Sequence, residues 1–500
     1  MRFDLIAIRR KRSKPAATTV NGVGVPASAR LGKKKKQRGQ AIIWMLGTMA
    51  AAAATLYGVY NLSQLNAGKE KAINAADAAA LAGATVEARA LNLIAYNNRS
   101  IIANEVFLVQ LASMQSWLWY VHTTSENIGT ILEYIPYLNI IGEILVEIGE
   151  IAGDASDYTG DIIDGFIPVL EGFKTLFSGA HAALRFFGGA LAEDAAGEII
   201  SANKTTFGSP VRTDIGMEKD SRAAVMALTV AANQARWIGF SKQYSDDERG
   251  DTKDILLRSR DDFSTTRNGN WLTNIDLFVL GLEKHGGTEL KGFDRWEAQD
   301  TLEFWEKHPC KTGVCTDYTP IGWGRANVDE NGDSGDVWAP NRTAQKMAYK
   351  DGKNHDDWTG VPSLYDIQDK SESARATLGV DFVIAVRRTQ PATLTTSNIG
   401  IKPLESQPQI GSSNMDEQMA SNQLSAIAKA RVSFERPKRN GADWTGTSLF
   451  RNDDAKEYGS LFSPYWQARI SDFTVTEKGL LMASMGLNPG LAPLTPGGQR

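Results

Sequence analysis

Cys310 and Cys315 are the only two cysteines of the chain, in the segment HPCKTGVC. In an oxidising compartment a C-x4-C pair can close into a disulfide that pins a small loop. Zinc would call for a second nearby pair, and the spacing is not C-x-x-C. His308 stands beside Cys310, but the disulfide reading already uses that cysteine. Asp329, Asn331, Asp333 and Asp336 in VDENGDSGD set hard oxygen donors at alternating positions, a pattern that suits Ca²⁺. The register of an EF-hand fails, because Ser334 occupies its sixth position and Pro340 its twelfth. A solvated acidic loop is the simpler reading. The five histidines, at 122, 181, 285, 308 and 355, are scattered, and the chain has no H-E-x-x-H, G-x-S-x-G or P-loop motif. These residues nominate no catalytic group and no cofactor, and the expectation is a protein that is not an enzyme.

The elements around them carry the stronger signal. No charged residue occurs between Gly39 and Gly68, and the preceding residues read KKKKQRG. A basic cluster followed by about 20 apolar residues predicts a membrane-spanning helix with its N-terminus held in the cytoplasm. The span is Ala41–Tyr60, with Trp44 near one interface and Tyr57 and Tyr60 near the other. Its Ala-rich middle also offers small-residue sites for a cleaved signal peptide, but the apolar stretch continues to Leu65 without a turn. Gly47, Ala51, Ala54 and Gly58 recur at spacings of three and four, which sets them on one helix face that a second helix can approach closely in lipid.

Charge divides the chain in the same place. Residues 1–40 hold 12 Lys/Arg and one acid, a net of +11; the whole-chain −4 then leaves −15 for residues 41–500. The basic arm has no apolar periodicity. It reads as a disordered cytoplasmic segment that fixes orientation and touches anionic headgroups, with no nucleic-acid partner expected. At 42% hydrophobic residues, the remainder can bury a substantial core.

No proline lies between Ile42 and Tyr134, and Asn66–Trp119 is rich in Ala and unbranched residues, which favour helix. One helix from 41 to about 115 is predicted. In the apolar segment 128–200, Glu143, Glu147 and Glu150 fall on one face of an amphipathic helix. That is too many carboxylates for a lipid span and the wrong sign for anionic lipid, so packing on the long helix or on a partner subunit is expected. A further helix is predicted at Ser221–Gly239. After about residue 250 the helical period fades, and Val380–Arg388, Ala430–Glu435 and Tyr465–Phe473 alternate as strands do. Trp296, Trp305, Trp323, Trp338 and Trp358 are expected to staple a loop-rich region rather than to stack on ligand.

Gln37-Arg38-Gly39-Gln40-Ala41, the apolar span, and Asn74-Ala75-Ala76-Asp77-Ala78-Ala79-Ala80-Leu81-Ala82-Gly83-Ala84 together resemble the TadE/TadG-like proteins of the Tad (Flp) pilus system. The resemblance covers residues 37–84. Ala90–Val106, Gly286–Leu302 and Leu461–Ile470 are similar to segments of large TadG-related proteins. The resemblance implies a structural role in pilus assembly at the bacterial inner membrane, with other Tad pilus-assembly proteins or pilins as partners through the N-terminal helix. It also marks Gly39-Gln40 as a possible prepilin-type processing site. Such prepilins carry Glu at the fifth mature position, where this chain has Trp44, so polymerisation as a major subunit is not implied. Many relatives carry a D-x-S-x-S metal motif that this sequence lacks.

The fold class expected is α+β. A transmembrane helix continues into a long helical stalk, further helices run to about residue 245, and a mixed, loop-rich region with short strands follows. The division is a basic arm at 1–38, a span at 39–65, a stalk at 66–245, a distal region at 246–486 and a disordered tail at 487–500. The expected function is a membrane-anchored structural component of Tad/Flp pilus assembly, single-pass with the bulk periplasmic or extracellular. An anchored extracytoplasmic enzyme or ligand-binding protein unrelated to pili is the alternative. Close helix contact with a partner is expected along Gly47, Ala51, Ala54 and Gly58 and again at Ala79 and Gly83. Large residues at Ala79 or Gly83 should then weaken partner capture and spare the distal region.

Overall fold

The computed structural model describes residues 40–203, 206–207, 221–270, 273–311, 313–332, 342–371, 378–389, 423–435, 459–474 and 477. The arm at 1–38, Gly39, Asp333, Asp336, Trp338 and the tail at 487–500 lie outside them. The chain divides into two compact units, Met1–Leu62 and Ser63–Arg500.

Helix α1 runs Gln40–Glu133, longer than expected, and α2 runs Asn139–Ala202. Five residues join them, with Tyr137 at a positive φ of 72° closing the turn. Within the second unit the two helices are antiparallel, and glycine brings them close. A Cβ on Gly142 would lie 2.6 Å from the Gly129 carbonyl and the Glu133 amide of α1. Gly149 and Gly153 meet His122, and Gly160 meets Gln115. Pro168 sits inside α2.

Helix α3 is Ser221–Ile238, close to its expected bounds; α4 is Gly250–Arg258, α5 is Asp262–Thr265 and α6 is Arg342–Asp351. Gly188 and Gly189 of α2 leave room for Trp237 and Gln234 of α3.

The strands form three sheets. One has the order β1 (Thr206–Phe207), β9 (Gly379–Thr389), β10 (Gln423–Phe434), β11 (Trp466–Ile470), all antiparallel. Its three longer strands are those the alternation predicted. The second is the pair β2 (Ser241–Gln243) and β8 (Tyr365–Ile367). The third is a five-stranded sheet: β3 (Ile275–Asp276), β4 (Leu280–Lys291), β5 (Arg295–Cys310), β6 (Gly313–Asp329) and β7 (Lys353–His355), with only β7 parallel to its neighbour. The fold is α+β, as the sequence implied.

Both large sheets pack on the helical hairpin. One core joins Ala72–Ile94 of α1 and Ala192, Ala196 and Ile200 of α2 to Phe382, Ile384 and Val386 of β9 and Ala428, Ala430 and Val432 of β10. A second joins Ile101–Ala112 of α1 and Ile163, Ile167 and Leu170 of α2 to Trp296, Ala298, Ala326 and Val328. The expected stalk at 66–245 and distal region at 246–486 meet in these two cores. Both belong to the one unit Ser63–Arg500, because the helices supply the apolar face that the sheets need to bury.

Strand β5 is covered on both sides. Trp296, Ala298 and Asp300 face α1, where Ser116 Oγ donates to Asp300 at 2.8 Å. Gln299 and Glu303 face α6, meeting Gln345 Nε2 at 2.7 Å and the Ala344 amide. Gly324 of β6 lies so close to α1 that a Cβ would sit 2.5 Å from the Tyr120 amide.

Candidate membrane-anchoring and assembly segment

The first part of α1 has the chemistry of a lipid-facing helix. Ala41–Tyr60 has a mean hydropathy of 1.6 and none of it is buried. Ile42, Ile43, Trp44, Met45 and Leu46 all stand exposed. Thr48 and Thr55 turn their hydroxyls onto helix carbonyls, Thr48 to Met45 at 3.0 Å and Thr55 to Ala51 at 2.8 Å, so neither leaves a free donor in an apolar medium. A Cβ at Gly47 or Gly58 would meet nothing within 4 Å, and Ala51 and Ala54 are exposed. This small-residue face is open in the structure. Gln40 is the first residue of α1.

The Asn74–Ala84 element has a different fate. Ala75, Ala76, Ala79, Ala80 and Ala84 are buried almost completely. A Cβ on Gly83 would lie 2.5 Å from Phe382 Cζ and 2.9 Å from Cδ1. The α1 alanines and Ala426, Ala428 and Ala430 of β10 belong to one core, and Gly83 brings the helix close to β9. Ala79 and Gly83, expected at a contact with a partner, are turned inward here: Ala79 lies in the core that holds Phe382 of β9, and Gly83 lies against the Phe382 ring. Phe382, Ile384 and Val386, alternate residues of β9, share this core with the α1 alanines, with Ala192, Ala196 and Ile200 of α2 and with Trp237 of α3. Asp77 is half-buried in the same element, and burial pushes its carboxyl above the ordinary range.

One helical turn further on, α1 carries a buried acid. Burial pushes the Glu87 carboxyl up to about 8, and the nearby Glu193 adds to it. Burial likewise raises Glu193 of α2 to about 7, against a hydrogen bond from Asn233. Asn233 of α3 ties the site together. Its Nδ2 donates to Glu193 Oε1 and to the Val383 carbonyl, both at 2.8 Å, and its Oδ1 accepts from the Val383 amide at 3.1 Å. Arg236 Nη1 donates to the same Oδ1 at 3.0 Å. Both shifts favour the protonated acid, which spares the core a pair of buried negative charges.

Three polar clusters tie α1 and α2 to each other, to the five-stranded sheet and to the segment after β7. Asp300 is fully buried and takes Arg267 Nε at 2.9 Å and Lys284 Nζ at 2.8 Å. Lys174 of α2 bridges Glu105 of α1 at 2.8 Å and Glu171 at 2.7 Å, and Trp358 Nε1 donates to Glu105 at 3.1 Å. His355 of β7 meets Asp164 and Gln115, each at 2.6 Å.

The sequence-nominated chemistry is placed as follows. Cys310 and Cys315 are joined in a disulfide across the β5–β6 turn, with their Cα atoms 5.7 Å apart. Asp329 pairs with Arg295 at 3.3 Å and accepts from the Asn331 amide at 2.9 Å; the other two members of that acidic set lie outside the described residues. Among the described residues no three His, Cys, Asp or Glu side chains gather as a metal site. Trp296 and Trp358 are fully buried, and Trp305 and Trp323 are half-buried on β5 and β6. Sequence reasoning missed the Glu87–Glu193 site, because the two residues are distant in sequence and only the hairpin brings them together.

No curated protein and no solved structure matches the chain. Residues 39–86, which hold both the apolar segment and the alanine element, match the family model described as putative Flp pilus-assembly TadE/G-like.

Proposed function

We propose that the protein is a membrane-anchored structural component of a Tad/Flp pilus-assembly system, a minor pilin-like subunit or an assembly factor. The observation that carries this reading is the coincidence of the family match at 39–86 with the uncharged, fully exposed helix Ala41–Tyr60. An exposed 20-residue apolar helix needs an apolar solvent, and its length fits the hydrocarbon core of a bilayer. The Lys33–Lys36 run before it supports a cytoplasmic N-terminus at the inner membrane, with the bulk of the chain on the far side. A disulfide at Cys310–Cys315 agrees with an oxidising compartment.

In this role the open Gly47, Ala51, Ala54 and Gly58 face is where a neighbouring pilin or assembly helix packs within the membrane. The alanine element does another job: it packs in the sheet core of Ser63–Arg500.

The test is site-specific photocross-linking in cells expressing the pilus machinery, with the probe at Ala51 or Gly58 and a control probe at Leu56. Adducts to Tad-system membrane proteins from the first two positions and not the third support the reading. Adducts to none, in cells that assemble pili, overturn it. Mass spectrometry of the mature N-terminus then distinguishes an intact anchor from one that begins at Gln40.

A further inference from the structure

The outer face of α2, turned away from α1, is written in heptads. Ile141, Ile148, Ala155 and Ile162 repeat every seven residues, and Ile144, Ile151 and Tyr158 repeat between them. These are the a and d positions of a coiled-coil seam. Five of the seven are exposed, Ile151 at 63% and Tyr158 at 69% among them, and Ala155 and Ile162 are half-buried. The seam is exposed from Ile141 to Ile151 and at Tyr158, and its last residue, Ile162, packs against the second core. The face that packs on α1 is the opposite one, through Gly142, Gly149, Gly153 and Gly160.

Charge states what fits there. Between Ser100 and Phe173 the sequence has 11 carboxylates and no Lys or Arg. Along α2 these fall in two rows beside the seam. The row at the c positions is partly used inside the molecule, since Asp157 pairs with Lys353 at 2.7 Å and Asp164 with His355 at 2.6 Å. The row at the g positions, Glu147, Asp154 and Asp161, is exposed and makes no ion pair among the described residues. In a two-stranded coiled coil the g row is the one that pairs across to the partner helix. We propose that this face is a coiled-coil docking seam for a cationic amphipathic helix of a partner protein, with apolar residues at its own a and d positions and Lys or Arg flanking them.

The same charges disfavour the other occupants. A second copy docked antiparallel on the same face would bring two acidic g rows together, and like charges across a seam oppose pairing; docked parallel, it would set each g row against the uncharged e positions Leu145, Ala152 and Thr159, with no cation to pair. Anionic lipid headgroups are repelled for the same reason. The proposal does not depend on the anchoring role proposed above, and it holds for any location of Ser63–Arg500.

The test uses the full chain in nanodiscs and two synthetic four-heptad peptides with Leu at a and d, one with Lys at e and g and the other with Glu. Fluorescence anisotropy should show binding of the Lys peptide that weakens with salt, and none of the Glu peptide. The triple variant Glu147→Gln, Asp154→Asn, Asp161→Asn should weaken it about tenfold. The variant Glu143→Gln, Glu150→Gln, in the c row, should change it less than about twofold. Ile144→Ser with Ile151→Ser should weaken it by about a hundredfold or more, with the circular dichroism spectrum unchanged. Equal binding of both peptides, equal effects of the two acidic rows, or self-association of the chain that Ile144→Ser abolishes would each overturn the proposal.

Discussion

Gly83→Ala sets two effects of opposite sign against each other. Gly83 lies inside α1, where alanine is favoured over glycine by about 1 kcal/mol. Its added Cβ would lie 2.5 Å from Phe382 Cζ, far inside van der Waals contact. The Phe382 ring is fully buried over a closed core, so the clash is relieved only by moving β9 or α1. Overpacking of that kind costs about 1–3 kcal/mol. The clash wins, and net destabilisation of about 1–2 kcal/mol is expected. Gly172→Ala is the matched control: it lies mid-helix in α2, is exposed, and its Cβ would meet nothing within 4 Å. That variant should gain about 0.5–1 kcal/mol. Phe382→Leu removes the ring atoms that clash. The double variant Gly83→Ala, Phe382→Leu should therefore lose less than the sum of its single losses, by about 1 kcal/mol. The assay is equilibrium urea unfolding of the detergent-solubilised chain, followed by tryptophan fluorescence. If Gly83→Ala stabilises as Gly172→Ala does, the alanine element is not packed on β9 and the reasoning fails.

Stability should fall with rising pH at the Glu87–Glu193 site. Both carboxyls bind protons more tightly folded than unfolded, so their contribution is fully present below the ordinary value of 4.5 and is lost as pH rises through about 7 and then about 8. Glu87→Gln should flatten this slope, which urea midpoints at pH 5.5 and 8.5 will show. Lys174→Ala leaves the fully buried Glu105 without its cation and should cost about 3–5 kcal/mol, partly recovered by Glu105→Gln, as read by urea unfolding of each variant. Gly142→Leu would drive a side chain into the Gly129 carbonyl, 2.6 Å from the Cβ position, and should open the α1–α2 turn; limited proteolysis at 134–138 should quicken.

Strands β10 and β11 were legible because apolar and polar residues alternate along them, as in ARVSFE, and β9 because the apolar run FVIAV stands between charged ends. Strands β4, β5 and β6 were not. Both faces of β5 are buried, and the face under α6 carries Glu297, Gln299 and Glu303. Polar groups satisfied by hydrogen bonds leave no hydrophobic alternation to read. Helix α1 was legible from alanine and the lack of proline, but its end was not, since it runs to Glu133 with no basic residue in its last turn. In the anchoring segment the apolar span could be read from composition alone. Where Ala79 and Gly83 face could not, because a small-residue stripe looks the same against lipid, a partner helix or a strand. Phe382, some 300 residues later, decides it.

The anchoring claim is tested most directly by membrane fractionation with alkaline extraction of the intact chain beside an Ala52→Glu variant. Alanine contributes little to insertion, and an acidic residue at the centre of a span costs about 2.5–3.5 kcal/mol, so the Ala-rich segment has little margin. The intact chain should stay in the membrane pellet and the variant should shift toward the soluble fraction. Recovery of the intact chain in the supernatant after extraction would contradict the account.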